Sequence, residues 1–283
     1  MTRAAKSPER SKKMDARPIG VFDSGLGGLT TVKKLAEYLP SEDIIYLGDT
    51  GRVPYGSRSR DTIIKYARQD ASFLAGFGIK AMVIACNTAC SVAFSILDCS
   101  YDMPVYEVVS APVRAAAALT KNGKIGVIGT AATIRSGAYE QALKIAAPGV
   151  SVFSKPCPLF VPLAENGRIG ADDIAALDIA EGYLAGLRES GIDTLILGCT
   201  HYPLLRNVIS KVMGSGVALI DSGAETAKLV AGDLRAKDLL AQSGAERKIR
   251  YYVTDSIDGF TDLASQFLES EVHGMVSLAT LGE

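Results

Sequence analysis

Two pairs of matched segments constrain this chain more than any other feature. IGVFDSG (19–25) parallels IGVIGTA (125–131), each an apolar run followed by a turn that carries a hydroxyl residue. VIACNTA (83–89) parallels LILGCTH (195–201), each an apolar run, a small residue, a Cys and shortly a Thr. Ile19 and Ile125 lie 106 positions apart and Cys86 and Cys199 lie 113 apart, so a duplicated unit with a small insertion in its second copy explains both offsets. Turns rich in small residues are common after strands. The reading as duplication therefore rests on both pairs occurring in the same order.

The rest of the chain fits such a unit. Further apolar runs at 43–48, 104–109 and 216–221 read as strands, and residues 60–77 and 172–190 read as amphipathic helices. Asp172 is the expected N-cap of the second helix and Gly191 its stop. Short apolar runs alternating with helices define an α/β fold with mainly parallel sheets. Ligands of such sheets gather at the carboxyl ends of the strands. Asp23, Ser24, Cys86, Asn87 and Thr88 occupy such positions in the first half, as Thr130, Thr133, Cys199, Thr200 and His201 do in the second. Two halves facing one another would put one thiol on each side of a cleft.

Composition narrows the function classes. The 283 residues carry a net charge of −1, which argues against a broad nucleic-acid footprint. No apolar run approaches the roughly 18–20 residues of a membrane span. The first 17 residues hold six basic side chains and no apolar stretch after them, so they read as a disordered arm rather than a secretory signal. The expected location is the cytoplasm. Five cysteines in no regular framework point to reduced thiols. With His273 the only other histidine, a His-based metal cluster is not expected.

A Cys at a strand-to-helix turn lies near a helix N-terminus, whose dipole favours the thiolate. Two such thiols on opposite faces of a planar carbanion suit racemisation: one removes an α-proton and the other returns one. A buried structural role competes for either Cys alone, and their matched positions favour chemistry. His201, two residues after Cys199, could polarise that thiol or bind a carboxylate. Asp23 could orient a substrate ammonium or tune Cys86, against an ordinary role in turn formation or capping. FDSGLGG (22–28) lacks the ending of a P-loop, and GLGGLT (25–30) misses the third Gly of the dinucleotide fingerprint. It reads instead as a turn whose amides hold a small carboxylate. Cys90, four residues after Cys86, fits neither a zinc ribbon nor a C-x-x-C motif and reads as core, with Cys99 and Cys157.

These residues, with PIGVFDSGLGGLTTVKKL (18–35), YLGDTGRVPYG (46–56), ACNTAC (85–90), IGVIGTAATIRSGAY (125–139), PLAENG (162–167) and LGCTHYPLL (197–205), resemble the glutamate racemases of the aspartate/glutamate racemase superfamily. The resemblance spans nearly the whole chain beyond the arm. It implies two pseudo-symmetric α/β domains with the active site between them: residues 18–112 plus 226–283, and residues 113–225. It also implies catalytic roles for Cys86 and Cys199, helpers at Asp23 and His201, and a further acid at Glu165. Substrate contacts would fall on Asp23, Ser24, Tyr55, Gly56, Asn87, Thr88, Thr130, Thr133, Thr200 and His201. It implies no cofactor, neither pyridoxal phosphate nor metal. The implied partners are L- and D-glutamate and a second copy of the chain, with neither nucleic acid nor membrane. D-Glutamate is a building block of bacterial peptidoglycan, which makes the implied host a bacterium. Three other expectations stand beside this one: an aspartate racemase, a non-catalytic regulator on the same fold, and a thiol-redox protein using Cys86 and Cys90.

Overall fold

The computed structural model describes residues 14–244, 246–272 and 274–282. The basic arm up to residue 13 and His273 lie outside the described residues. The last part of the arm is tied down, with the Asp15 amide donating to the Leu240 carbonyl at 3.2 Å.

Among the described residues, ten strands form two sheets. The first contains β1 (Ile19–Asp23), β2 (Ile44–Gly48), β3 (Ala81–Ile84) and β4 (Val105–Glu107). The second contains β5 (Lys124–Gly129), β6 (Ser151–Pro156), β7 (Thr194–Gly198) and β8 (Ala218–Asp221). Then β9 (Ile249–Val253) and β10 (Val276–Leu278) return to the first. Every pairing is parallel. The orders are β10-β9-β2-β1-β3-β4 and β6-β5-β7-β8. Without β9 and β10 the first sheet runs β2-β1-β3-β4, the same order as the second. The repeat read from four short segments is therefore a repeat of topology, with β1 matching β5 and β3 matching β7.

Parallel strands need crossovers, and these put helices on both faces. The helices are α1 (Leu29–Tyr38), α2 (Arg60–Ala75), α3 (Asn87–Asp98), α4 (Ser110–Leu119), α5 (Ala131–Ser136) and α6 (Ala138–Ala146). They continue with α7 (Phe160–Glu165), α8 (Ile174–Glu189), α9 (Arg206–Met213), α10 (Ser222–Ala236) and α11 (Ile257–Leu268). Covered on both faces, β1, β2, β3 and β7 are buried at every residue. Ile19 and Val21 pack with Val32 of α1, Val230 of α10 and Phe260 of α11. Phe22 points the other way, into a core shared with α2, α3 and α4 that continues to Ile125 and Val127 of the second sheet. A third cluster packs α8 and α9 on Ile128, Leu195 and Leu197. No described helix is long and apolar enough to cross a membrane.

Several boundaries differ from the sequence reading for local reasons. Strand β4 stops at Glu107 because that carboxylate turns back to accept the Val109 and Ser110 amides, the latter at 2.8 Å, and so caps α4. Helix α8 is capped by Asp173, which accepts the Ala176 amide at 3.0 Å, and not by Asp172, which pairs with Lys211 at 2.7 Å. Gly191 does stop that helix, with φ +71°. Strands β6, β9 and β10 escaped notice. The first mixes exposed and half-buried residues without strict alternation at a sheet edge, and β10 has only three residues.

A buried ion pair fixes the returning C-terminal elements. Lys80, just before β3, meets Glu42 at 2.5 Å with side-chain exposures of 0% and 3%. Its ammonium also donates to the Asp15 and Leu239 carbonyls at 2.6 and 2.7 Å, while Glu42 accepts the Ala241 amide at 2.7 Å. Removing one partner strands the other charge away from water. Lys80→Met is expected to lose about 3–5 kcal/mol in urea unfolding, and Lys80→Met/Glu42→Leu to recover most of it.

Candidate active site

In a sheet ordered β2-β1-β3-β4 the chain crosses over in opposite directions from β1, and a crevice opens beyond the carboxyl ends of β1 and β3. The second sheet makes the equivalent crevice beyond β5 and β7. The two crevices meet in one cavity of about 510 Å³.

Cys86 follows β3 and caps α3, its sulfur accepting the Ala89 amide at 3.4 Å. Cys199 follows β7 on the other side. Both sulfurs' residues are 5% exposed, and both line the cavity. Thr130 caps α5 in the same manner, accepting the Thr133 amide at 3.3 Å. Its hydroxyl meets those of Thr88 and Thr133, each at 3.0 Å, which joins the start of α3 to the start of α5. Across the same seam the Tyr139 hydroxyl lies 2.9 Å from the Val108 carbonyl oxygen and 2.5 Å from Asn87 Oδ1.

Of the residues singled out from the sequence, Ser24, Tyr55, Gly56, Cys86, Asn87, Thr88, Thr130, Glu165, Cys199, Thr200 and His201 line the cavity. Asp23 and Thr133 do not. They sit behind the wall at 1% exposure each, Thr133 beneath Thr130 and Asp23 beneath its own turn. The Gly-rich turn does hold a carboxylate, but it is the chain's own: the Gly25 amide donates to Asp23 Oδ1 at 3.0 Å. The turn's glycines serve close approach as well. A Cβ on Gly27 would fall 2.1 Å from Thr200 Oγ1 and 2.6 Å from the His201 ring. Thr30 donates to the Thr200 carbonyl beside it at 2.9 Å.

The sequence reading missed Arg135, Val53, Pro54, Ser57, Val161 and Pro162 in the wall. Helical spacing offered a signal for two of them, since Val161 and Pro162 precede Glu165 by four and three residues on α7. Arg135 is exposed on α5, two residues after Thr133, and shares no period with it.

Opposite fields surround the two sulfurs. Burial pushes the Cys86 thiol up to about 12, and the nearby Asp23 charge adds to the effect. Burial likewise raises Asp23, opposed by His201 and by the Gly28 and Gly25 amides. Beside Cys199 the balance differs. Burial works against a charged His201, but hydrogen bonds to Cys199 and Glu165 outweigh it and carry the imidazole up to about 10. His201 Nε2 lies 2.9 Å from Glu165 Oε1, and Nδ1 lies 3.9 Å from the Cys199 sulfur. As an imidazolium it donates to both. Among the described residues, no group of three or more His, Cys, Asp or Glu is arranged to hold a metal ion.

Two outcomes follow from this geometry. Gly27→Ala is expected to cost about 1–3 kcal/mol in urea unfolding, because its Cβ would fall 2.1 Å from Thr200 Oγ1 and 2.6 Å from the His201 ring, so the two turns must move apart. His201 binds its proton more tightly folded than unfolded. Its contribution to stability is therefore complete below about pH 6.5 and is lost as the pH rises through about 10. Glu165→Gln should move the His201 titration, followed by NMR, to lower pH and start that loss earlier.

The site and fold have close relatives. A family model described as Asp/Glu/Hydantoin racemase matches residues 19–230. The chain is 48% identical over 255 residues to a glutamate racemase of Geobacter metallireducens, covering 90% of this chain and 94% of that one. Its structure is similar to that of a glutamate racemase isoform from Bacillus anthracis, with TM-score 0.89, 39% identity and coverage of 93% and 97%. It is also similar to a glutamate racemase of Francisella tularensis solved with D-glutamate, with TM-score 0.86, 41% identity and coverage of 94% and 98%.

Proposed function

Because the chain belongs to the Asp/Glu/Hydantoin racemase family and is an isomerase of the glutamate racemase kind, we propose that it interconverts L- and D-glutamate by proton transfer between Cys86 and Cys199. The observation that carries this reading is the placement of the two thiols at equivalent strand ends on one cavity.

One sulfur, as thiolate, takes the α-proton, and the C–H electron pair stays on Cα and spreads into the carboxylate. The thiol on the other face then gives its proton to Cα, so the pair forms a new C–H bond with inverted configuration. The two sulfurs end in exchanged protonation states, and proton return resets them. Cys86, held as a thiol by its surroundings, is suited to donate first, and Cys199 beside the His201 imidazolium is suited to accept. Glu165 steadies His201, and Asp23 acts on Cys86 from behind the wall. Ser24, Asn87, Thr88, Thr130, Thr200, Tyr55 and Gly56 surround the substrate's carboxylates and ammonium. Thr133 acts through Thr130. Fixed dipoles lining a largely apolar cavity are what a dianionic, enolate-like transition state requires.

We extend the reading to the division into 18–112 plus 226–283 and 113–225, which the two sheets support. The family resemblance further supports a homodimer working in the cytoplasm and supplying D-glutamate for peptidoglycan.

The test is incubation with L-glutamate in D2O without added cofactor, following optical rotation and α-deuterium together. Loss of rotation with deuterium entering Cα is expected, and Cys86→Ser or Cys199→Ser should each lower kcat at least about 10²-fold with the fold intact. Full racemisation by either variant would sink the two-thiol mechanism. Turnover of aspartate above that of glutamate would reassign the substrate, and flat signals for both would favour a binding role.

A further inference from the structure

The cavity wall at 53–57 is backed by a buried polar cluster drawn from three separate stretches of the chain. Asp49 follows β2, Arg52 lies in the turn after it, Asp70 is on α2 and Thr254 follows β9. Asp49 and Asp70 are both 0% exposed, and Tyr55 is 1% exposed. The Tyr55 hydroxyl contacts Asp70 Oδ2 at 2.8 Å and Asp49 Oδ2 closer still. Arg52 reaches both acids, Nε to Asp49 Oδ2 at 2.6 Å and Nη2 to Asp70 Oδ1 at 2.9 Å. It also bonds Gln69 at 2.5 Å and lies 4.1 Å above the Tyr66 ring, which itself packs on Tyr55.

A phenol has one proton, and a carboxylate only accepts. A hydroxyl in contact with two carboxylate oxygens therefore needs a second proton on one of the acids. Asp49 already accepts from Arg52 at Oδ2 and from Thr254 at Oδ1, at 2.8 Å, so it is the better solvated anion. Asp70 accepts at Oδ1 alone, which leaves Oδ2 to carry the proton. Burial, and then the Asp49 charge, hold Asp70 well above the usual carboxylate range, with Tyr55 and Arg52 opposing and Asp23 adding to it. The chain of donors runs from Asp70 Oδ2–H to Tyr55 and from Tyr55 O–H to Asp49. With Arg52 the cluster is neutral.

We propose that Asp49, Arg52 and a protonated Asp70 form a positioning network that holds Tyr55, and through it the 53–57 wall, against the substrate. This rests on the reading of the cavity as the glutamate site. Tyr55 cannot swing outward without taking a hydrogen bond from each of two buried acids, so Gly56 stays against Thr130, where a Cβ would meet Thr130 Cβ at 3.2 Å. The network thus links the first sheet's wall to the second sheet's helix cap, and its members touch no reacting atom.

The experiment compares Asp70→Asn with Asp70→Leu. The amide can donate to Tyr55 and accept from Arg52, so Asp70→Asn should keep KM and kcat for glutamate within about twofold of the parent. Asp70→Leu cannot, and KM should rise about tenfold or more while kcat falls less. Infrared difference spectra of the substrate-free protein at neutral pH should contain a protonated-carboxyl band that Asp70→Asn removes. An Asp70→Asn enzyme as impaired as Asp70→Leu, or an unchanged KM in a folded Asp70→Leu, would overturn the proposal. So would absence of the band from the parent protein. The band is read without turnover, so the protonation of Asp70 is decided whether or not the chain racemises glutamate.

Discussion

The contact at Gly27 joins the two halves of the molecule where their chemistry-bearing turns meet. Thr200 and His201 fill the space a side chain would take, and Thr30 bonds the Thr200 carbonyl next to it. Each sheet alone provides one strand-end crevice with one thiol. Close approach of the first sheet's glycine turn to the second sheet's CTH turn merges the crevices into one cavity. The threonine hydroxyls of 88, 130 and 133 and the Tyr139 bonds brace the same seam at its other end. Two-sided chemistry on one carbon requires this: duplicated units presenting matched groups, held closely enough that water does not separate them.

Two chemically identical side chains sit in unlike fields. Behind Cys86 stands a buried carboxylate held by its own turn. Beside Cys199 stands an imidazole kept cationic by Glu165 and the sulfur. In a cavity of low effective dielectric such neighbours act strongly. The topological repeat is symmetric, and the asymmetry comes from the residues that follow each strand, DSG and CTH in place of GTA and CNT. The proposed reaction needs one acid and one base at any moment, and this difference provides a starting state.

Buried charge recurs away from the sulfurs. Lys80 with Glu42 ties the segments around residues 15 and 240 to the first sheet, and Arg52 with Asp49 and Asp70 backs the cavity wall. Such groups are poor sources of net stability but are sensitive to geometry, because a small displacement leaves a charge unpaired. They make the placement of β9 and of the 53–57 turn specific in a way that packing of aliphatic side chains alone does not.

What the sequence determined by itself was local. Apolar runs of strand length, turn residues after them and the recurrence of Cys at equivalent points located seven strands, the α/β class, the duplication and both thiols, since strand periodicity and turn chemistry are read from neighbours along the chain. Tertiary structure decided what depends on neighbours through space. It put Asp23 and Thr133 behind the wall while Ser24 and Thr130 face the cavity, and it moved a helix cap from Asp172 to Asp173. It recruited the edge strands β6 and β10 and, inside β10, the strand β9, whose half-exposed or very short sequences carry little pattern. It also gathered Asp49, Asp70 and Thr254 around one tyrosine. Burial and charge pairing between segments two hundred residues apart leave no periodicity, so only the packed chain decides them.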